Sequence, residues 1–397
     1  MKEIKLISEY YYPEEPSTGY YIKGIAEGLA KDTNLTVIYT SSNASSIIRE
    51  QEAGLKKIIV PSINIDKNKL LPRLYRLLVL SIRLLSRYLK EHRKGETVIC
   101  VTNPAFIVPL IALYKRWNKK FKLVFLVHDV FPENLVASGI VKRTNILYKL
   151  ILRIYNSSYS KADSIVTCGR DMRELFIKKT GAGDNSPTIE YIPNWGDINS
   201  ITPIENYKDL IRKEYKLQNK LTFQFAGNIG RLQGIPNILE SLKSIDYKDI
   251  AFVFYGKGAC LDDILEANDS RVIYGGSFDK EESQKYLNLC DISVVCLQKG
   301  MTGLGVPSKT YSNLAAGKPI LYVGEPEDEI AQVIAKEEIG YVCDLNEPGS
   351  IKRGINWFYS LDDYSYNLLS KNSREVAEKL FSQEKVIDQY CSFIKSN

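Results

Sequence analysis

Two stretches of this chain carry the residues best suited to holding a phosphate group. In Val306-Pro-Ser-Lys-Thr-Tyr-Ser-Asn-Leu-Ala-Ala-Gly-Lys-Pro-Ile320, a Pro-Ser-Lys turn feeds a short helix. Gly317 ends that helix, and an apolar strand follows over 319–323. A turn entering a helix offers free backbone N–H groups and the positive end of the helix dipole, and Lys309 at that mouth adds a full charge. The second stretch is Phe225-Ala-Gly-Asn-Ile-Gly-Arg-Leu-Gln-Gly234, between an apolar run and a helical pattern over 235–244. Its small residues let a backbone approach a diphosphate closely. Gly230, Arg231, Ser308, Lys309 and Tyr311 are therefore candidate phosphate and ligand contacts. A tight turn that needs glycine, or an ordinary helix-to-strand connection, would use similar residues.

A third candidate is His128-Asp129, at the C-terminal end of an expected strand over 123–127. Parallel α/β sheets present their chemistry at that end. The competing role for Asp129 is to cap the following helix. Glu133 lies just beyond Phe131-Pro132 and reads more simply as a surface acid. Thr18-Gly19 opens a helical pattern over 20–30, either as another phosphate-facing helix start or as a plain one. Gly256-Lys-Gly-Ala-Cys-Leu261 begins like a dinucleotide fingerprint, but Leu261 stands where its third glycine belongs, and no acid ends a following strand at the usual spacing. That argues against a nicotinamide cofactor.

The stretch 70–94 has a different chemistry. Arg73, Arg76, Arg83, Arg87, Lys90 and Lys94 fall within an arc of about 100° on a helical projection, opposite an apolar arc of mostly leucines. Such a helix suits an anionic membrane surface, or packing on a sheet with a solvated basic rim. Lys142, Lys149 and Arg153 form a smaller stripe on a later helix. Neither aromatic interleaving nor a nucleic-acid motif accompanies them, which argues against nucleic acid as a partner.

The elements that must position these residues alternate. Short apolar runs at 4–8, 35–40, 57–60, 97–101, 123–127, 164–166 and 188–191 are separated by longer helical patterns. The rhythm resumes at 221–226, 251–255, 272–275, 292–296, 319–323 and 340–343. This argues for an α/β chain with parallel sheets and crossover helices. With 397 residues, two domains are expected, joined through the polar stretch 194–205. The expected domains are 1–197 and 198–372, with a final helix in 373–397 crossing back onto the first. Seven cysteines without a C-x-x-C pair suggest neither a disulfide framework nor a zinc site. Two histidines are too few for a His-rich metal centre, and there is no Asp-x-Asp. A net charge of +6 does not force nucleic-acid binding. No secretory leader precedes the first strand, and the best apolar run, 98–114, is broken by Pro104 and Pro109 and is short for a bilayer. A cytoplasmic protein is expected.

Taken in order, the two phosphate-type loops, Tyr11-Tyr-Pro-Glu-Glu-Pro-Ser-Thr-Gly19, His128-Asp-Val-Phe-Pro-Glu133 and Ile192-Pro-Asn-Trp-Gly-Asp197 resemble glycosyltransferase family 4 over nearly the whole chain. The branch they look most like builds bacterial surface polysaccharides. The resemblance implies a GT-B fold, two Rossmann-like doubly wound domains facing a central cleft. It further implies transfer with retention, no required metal or cofactor, and a nucleotide-sugar donor, UDP-linked, in the C-terminal domain. The acceptor would be a lipid-diphosphate-linked glycan, met at the inner face of the cell membrane. Gly19 falls where the family has a Gly-Gly step under the donor phosphates. Asn228 and Gln233 stand where many members carry Arg and Lys, so Arg231 and Lys309 become the substitute phosphate cations. His128 and Asp129 fall near the donor's leaving oxygen, where a carboxylate could stabilise oxocarbenium-like charge or orient the acceptor hydroxyl. Two glutamates typical of the family correspond here to Gly305 and Ser312, and Ser312 keeps only a hydroxyl for the ribose. A non-catalytic nucleotide-sugar-binding partner subunit and a UDP-sugar 2-epimerase of the same fold are the alternatives. The scarcity of histidine argues against the second.

Overall fold

The computed structural model describes every residue except 14–17, 53, 64, 66–69, 182, 185, 205–216 and 397. The middle of the Tyr11–Gly19 motif and the end of the expected linker therefore lie outside the described residues. The chain forms two compact units. One comprises Met1–Pro193, residues 303–305 and Glu384–Asn397; the other comprises Asn194–Thr302 and Val306–Gln383.

The first unit is built on an eight-stranded sheet: β1 (Glu3–Ile7), β2 (Asn34–Ser41), β3 (Ile48–Glu52), β4 (Leu55–Pro61), β5 (Thr97–Val101), β6 (Lys122–Val127), β7 (Ser164–Thr167) and β8 (Thr188–Tyr191). Their order is β3-β4-β2-β1-β5-β6-β7-β8, parallel except for β3. The central strands are buried along nearly their whole length because helices cover both faces. The sequence reading has no β3. Its residues, Ile-Arg-Glu-Gln-Glu, carry no apolar alternation. They pair antiparallel with β4 at the sheet edge, where charged side chains remain in water and discourage further strand pairing.

Helices α1 (Thr18–Ala30), α2 (Leu70–Glu91), α3 (Ile107–Trp117), α4 (Glu133–Ala137), α5 (Ile146–Tyr159) and α6 (Arg170–Thr180) connect these strands. Right-handed crossovers send α1 to one face of the sheet and α2, α3, α5 and α6 to the other. On that second face α2 packs beside α3, α3 beside α5, and α5 beside α6.

Helix α2 corrects the expectation of a basic outer face. Leu80, Leu84 and Tyr88 are wholly buried, and this inward arc reaches the cationic stripe. Arg76 is buried and donates to Glu9 at 2.6 Å, and Arg87 is buried against Glu91. A guanidinium so enclosed is held by a carboxylate because an unpaired buried charge is costly. Arg73, Arg83 and Lys90 are exposed as expected, while Lys94 is exposed in the turn beyond the helix end.

The second unit has a six-stranded, all-parallel sheet: β9 (Leu221–Ala226), β10 (Ile250–Tyr255), β11 (Val272–Tyr274), β12 (Ile292–Cys296), β13 (Ile320–Gly324) and β14 (Gly340–Asp344). The order β11-β10-β9-β12-β13-β14 is that of a dinucleotide-binding fold, with its topological switch point between β9 and β12. Phenylalanines on β9 and β10 fill the core, and Phe223 and Phe252 stack at 4.6 Å between ring centroids. The helices are α7 (Ile235–Leu242), α8 (Leu261–Leu265), α9 (Ser283–Leu287), α10 (Lys309–Ala315), α11 (Glu329–Glu337), α12 (Ser350–Tyr359) and α13 (Asp363–Leu380).

The expected final helix is two helices. Helix α13 stops at Leu380, and α14 (Gln383–Ser396) begins afresh. Between them the Phe381 carbonyl accepts the Gly196 N–H at 3.0 Å, and Gly196 pairs with Ser382. Only α14 belongs to the first unit, where Gly28 of α1 makes room for Ile387. A Cβ at Gly28 would lie 2.3 Å from that side chain. The observed division falls at 193/194, four residues before the expected 197/198.

Candidate functional site

In the second unit the site forms where topology leaves a gap, at the carboxyl ends of β9 and β12. The chain leaves β9 through Gly227, at φ +135°, and leaves β10 through Gly256, also at φ +135°. The two loops interlock. Gly227 N–H donates to the Tyr255 carbonyl and Ile229 N–H to the Lys257 carbonyl, both at 2.9 Å. A Cβ at Gly256 would lie 1.8 Å from the Gly227 oxygen, so this approach requires glycine. The weak fingerprint at Gly256 thus marks a packing partner of the Gly227 loop.

Lys309 comes to this loop from the first residue of α10. Its Nζ sits 3.3 Å from the centre of the Phe225 ring and donates to Gln233 Oε1 at 3.0 Å. Gly227 lies directly beside it, close enough that a Cβ there would touch the Lys309 Cε at 3.3 Å. The residue keeps some contact with solvent, but its ammonium end faces an aromatic ring and the sheet end. Desolvation lowers its pKa to about 7, and the Cys296 thiol nearby works weakly in the opposite direction. With seven residues, α10 supplies little dipole of its own, so the charge on Lys309 is the main attraction for an anion here.

Asn228 and Arg231 are exposed, Gly230 and Gln233 are half-buried, and all four lie on the same loop. Ser308 and Ser312 are half-buried at the start and middle of α10. Tyr311 does not join them. It is wholly buried, edge-on to Phe381 at 5.0 Å between centroids, and its carbonyl packs where a Cβ of Gly196 would be. The expected ligand contact of Tyr311 is corrected to a core role. On so short a helix, the turn that carries Lys309 to the loop turns Tyr311 inward.

In the first unit, β6 delivers His128 and Asp129. His128 is buried, stacks with Tyr21 at 6.4 Å, and burial lowers its pKa to about 4, so the ring is neutral. Its Nε2 has no hydrogen-bond partner among the described residues. The Asp129 side chain is exposed. The surrounding protein raises its pKa and a hydrogen bond with Asn103 lowers it. Desolvation is the larger of the two effects, so the net direction is upward from the ordinary carboxylate value. Asp129 caps no helix: α4 begins at Glu133, with Pro132 at its cap position. Its backbone pairs with Gly305 instead, and Val130 N–H donates to the Leu304 carbonyl at 3.0 Å. A Cβ at Gly305 would lie 3.3 Å from Asp129 Oδ1, so a glutamate there would crowd a second carboxylate against the first. Glu133 is held by Lys179.

Gly19 has a packing reason to be glycine. A Cβ there would lie 2.7 Å from the Tyr11 backbone, and Tyr12 N–H donates to the Gly19 carbonyl at 3.2 Å. Sequence reasoning missed Phe225 under Lys309 and the Glu9–Arg76 pair. Phe225 reads as an ordinary strand residue, and Glu9 gives no sign of its partner.

Residues 18–199 match Glycosyltransferase Family 4, and residues 207–376 match Glycosyl transferases group 1. A protein named probable glycosyltransferase WbjE, from Pseudomonas aeruginosa, is 34% identical over 413 residues, covering 100% of this chain and 98% of its own. WcaI of Escherichia coli K12, named for colanic acid biosynthesis and glycosyl transfer, is 22% identical over 313 residues, 76% of this chain and 74% of its own. Among solved structures, HepE from Anabaena in complex with UDP superimposes with a TM-score of 0.71 at 13% identity, covering 100% of both chains. With both halves matched and a full-length relative at this identity, the chain belongs to the family 4 glycosyltransferases, enzymes of the GT-B fold.

Proposed function

We propose that this glycosyltransferase takes its sugar from a UDP-sugar and passes it, with retention, to a hydroxyl of a lipid-diphosphate-linked glycan in bacterial surface-polysaccharide assembly. The observation that carries the reading is the Lys309 ammonium set beside Gly227 at the switch point of the second sheet. A diphosphate laid on that loop would meet backbone N–H groups, Lys309 and the exposed Arg231. The amides of Asn228 and Gln233 and the hydroxyl of Ser308 would add neutral hydrogen bonds, and Ser312 would reach the ribose. The Asp129 carboxylate would stabilise positive charge developing at the anomeric carbon, and neutral His128 has an unpartnered ring nitrogen to offer a hydroxyl. No metal or cofactor besides the nucleotide sugar enters this scheme. HepE, solved with UDP, and WcaI, named for colanic acid biosynthesis, support the choice of donor and product class. A lipid-linked acceptor would bring the enzyme to the inner face of the cell membrane.

Calorimetric titration with UDP, GDP and ADP tests the donor. Incubation with UDP-sugars and a lipid-diphosphate-linked acceptor, read by mass spectrometry and by the anomeric NMR coupling of the product, tests the rest. Preference for GDP, or an inverted product, would overturn it. The absence of both family glutamates, at Gly305 and Ser312, favours one second reading, a nucleotide-sugar-binding subunit without turnover. UDP binding with no transfer to any acceptor would establish that reading instead.

A further inference from the structure

The face of the first unit that carries α2, α3 and α5 has an outer surface unlike that of a freely solvated protein. On α2, Leu71, Tyr75, Leu78, Ile82 and Leu89 are between 41% and 78% exposed. At about 100° per residue they fall in an arc of about 60°, pointing away from the buried Leu80–Leu84–Tyr88 side. Helix α2 is therefore apolar on two sides, and packing on the sheet uses only one. Next to it, Leu113 and Trp117 of α3 are 55% and 82% exposed. Beyond them, Ile146, Leu147, Leu150 and Ile154 of α5 continue the patch, with Ile146 85% exposed. Scattered exposed leucines need no explanation, but a patch running across three adjacent helices marks an interaction surface.

The charge on this face selects the partner. Arg83 and Lys90 border one edge of the outer stripe of α2, Arg116 stands beside Trp117, and Lys149 and Arg153 flank the stripe of α5; all are exposed. Helices α3 and α5 contain no acidic residue. The single acid of α2, Glu91, lies at its end and is bound by Arg49, Lys56 and Arg87. An apolar stripe bordered by cations, with no acid on α3 or α5 and the one acid of α2 paired, matches an anionic lipid surface. A second copy of the same face would set cation against cation. No helix among the described residues is long and apolar enough to cross a membrane.

We propose that the outer surface of α2, α3 and α5 docks in the plane of an anionic bilayer, with its leucines and Trp117 in the headgroup region and its arginines and lysines on the phosphates. The proposal rests on the reading of a lipid-linked acceptor for its purpose, but not for its evidence. Binding is apolar at its centre, unlike the purely electrostatic contact suggested by the basic stripe, so salt should weaken it without abolishing it.

The test is flotation of the purified chain with phosphatidylcholine vesicles, with and without phosphatidylglycerol, at low and high salt. Wild type is expected to float with the anionic vesicles and to shift its Trp117 fluorescence to the blue, a shift lost in Trp117→Phe. A combined Leu78→Ser, Ile82→Ser, Leu150→Ser variant changes exposed positions only. It should keep its circular dichroism and UDP affinity while losing at least about tenfold in vesicle partition. Arg83→Gln, Lys90→Gln and Lys149→Gln together should remove the preference for phosphatidylglycerol. Absence of flotation at low salt, or flotation untouched by the serine variant, overturns the proposal. So does a dimer in sedimentation that the serine variant dissolves. Transfer to a short soluble acceptor separates the two readings. If it persists without vesicle binding, the surface falls and the transferase reading stands. If vesicles bind but no lipid-linked acceptor is used, the surface stands alone.

Discussion

Nucleotide binding should be coupled to the protonation of Lys309. In the free protein the ammonium lies over the Phe225 ring with one polar partner, Gln233, and its pKa sits at about 7. A diphosphate beside Gly227 would supply the missing negative charge and return the pKa towards the ordinary lysine range. Above pH 7 the free site is therefore increasingly neutral while the bound site stays charged, so affinity must fall as pH rises. With a free pKa of about 7, the protonated fraction is about 0.5 at pH 7 and about 0.01 at pH 9, so UDP affinity should drop about fiftyfold, or about 2.3 kcal/mol. The phosphates of UDP are already ionised across this range, so the nucleotide contributes no opposing trend. Calorimetry at about pH 8 in two buffers of different ionisation enthalpy should register uptake of about 0.9 proton per UDP bound. Lys309→Met should bind weakly and flatly with pH. The stability of the free protein gives an independent sign. Because the folded pKa lies below the unfolded one, the unfolded chain holds more protons between pH 7 and about 10.4, and stability should rise with pH there. Wild-type affinity unchanged from pH 7 to 9, without proton uptake, would refute the placement of Lys309 at the phosphates.

Other substitutions divide ligand contacts from packing. Lys309→Ala at neutral pH should cost about 1.5–3 kcal/mol in UDP affinity, about 10- to 150-fold by calorimetry, with the melting curve nearly unchanged. Asp129→Asn should lower kcat far more than UDP affinity, and parallel losses of both would point to a structural part instead. Tyr311→Phe should leave UDP affinity intact, whereas Tyr311→Ala should destabilise the fold by about 3–5 kcal/mol in denaturant unfolding. Arg76→Gln should cost about 3 kcal/mol of stability by leaving Glu9 buried without its guanidinium, a loss that Glu9→Gln added to it should partly restore.

The strands were legible because parallel strands covered on both faces need long apolar runs, and the chain has them at the right spacing. The charged edge strand β3 was not, since water on its outer side removes the selection for a pattern. The break between α13 and α14 was equally hidden. Residues 380–383 contain neither proline nor glycine, and the helix ends where Gly196 bonds to Phe381 and Ser382 pairs in turn. At the site, the glycine loops and Lys309 were legible because glycine at positive φ and a cation at a turn are local signals. Tyr311, two residues from Lys309, was misplaced because proximity in sequence says nothing about which side of a helix meets the core.

The sequence by itself determined the α/β rhythm, the two halves, the positions of the glycine loops and the His128-Asp129 pair at a strand end. Each of these follows from residue types and spacings within a few positions of one another, where backbone preference and burial act directly. Only the tertiary structure decided that Lys309 lies over Phe225 and loses much of its charge, that Arg76 and Arg87 turn inward, and that leucines of α2 face outward. A helix with apolar residues on two sides has no preferred side of its own. Its orientation is set by the sheet it packs against and by a buried carboxylate, Glu9, just beyond a distant strand end, which Arg76 reaches.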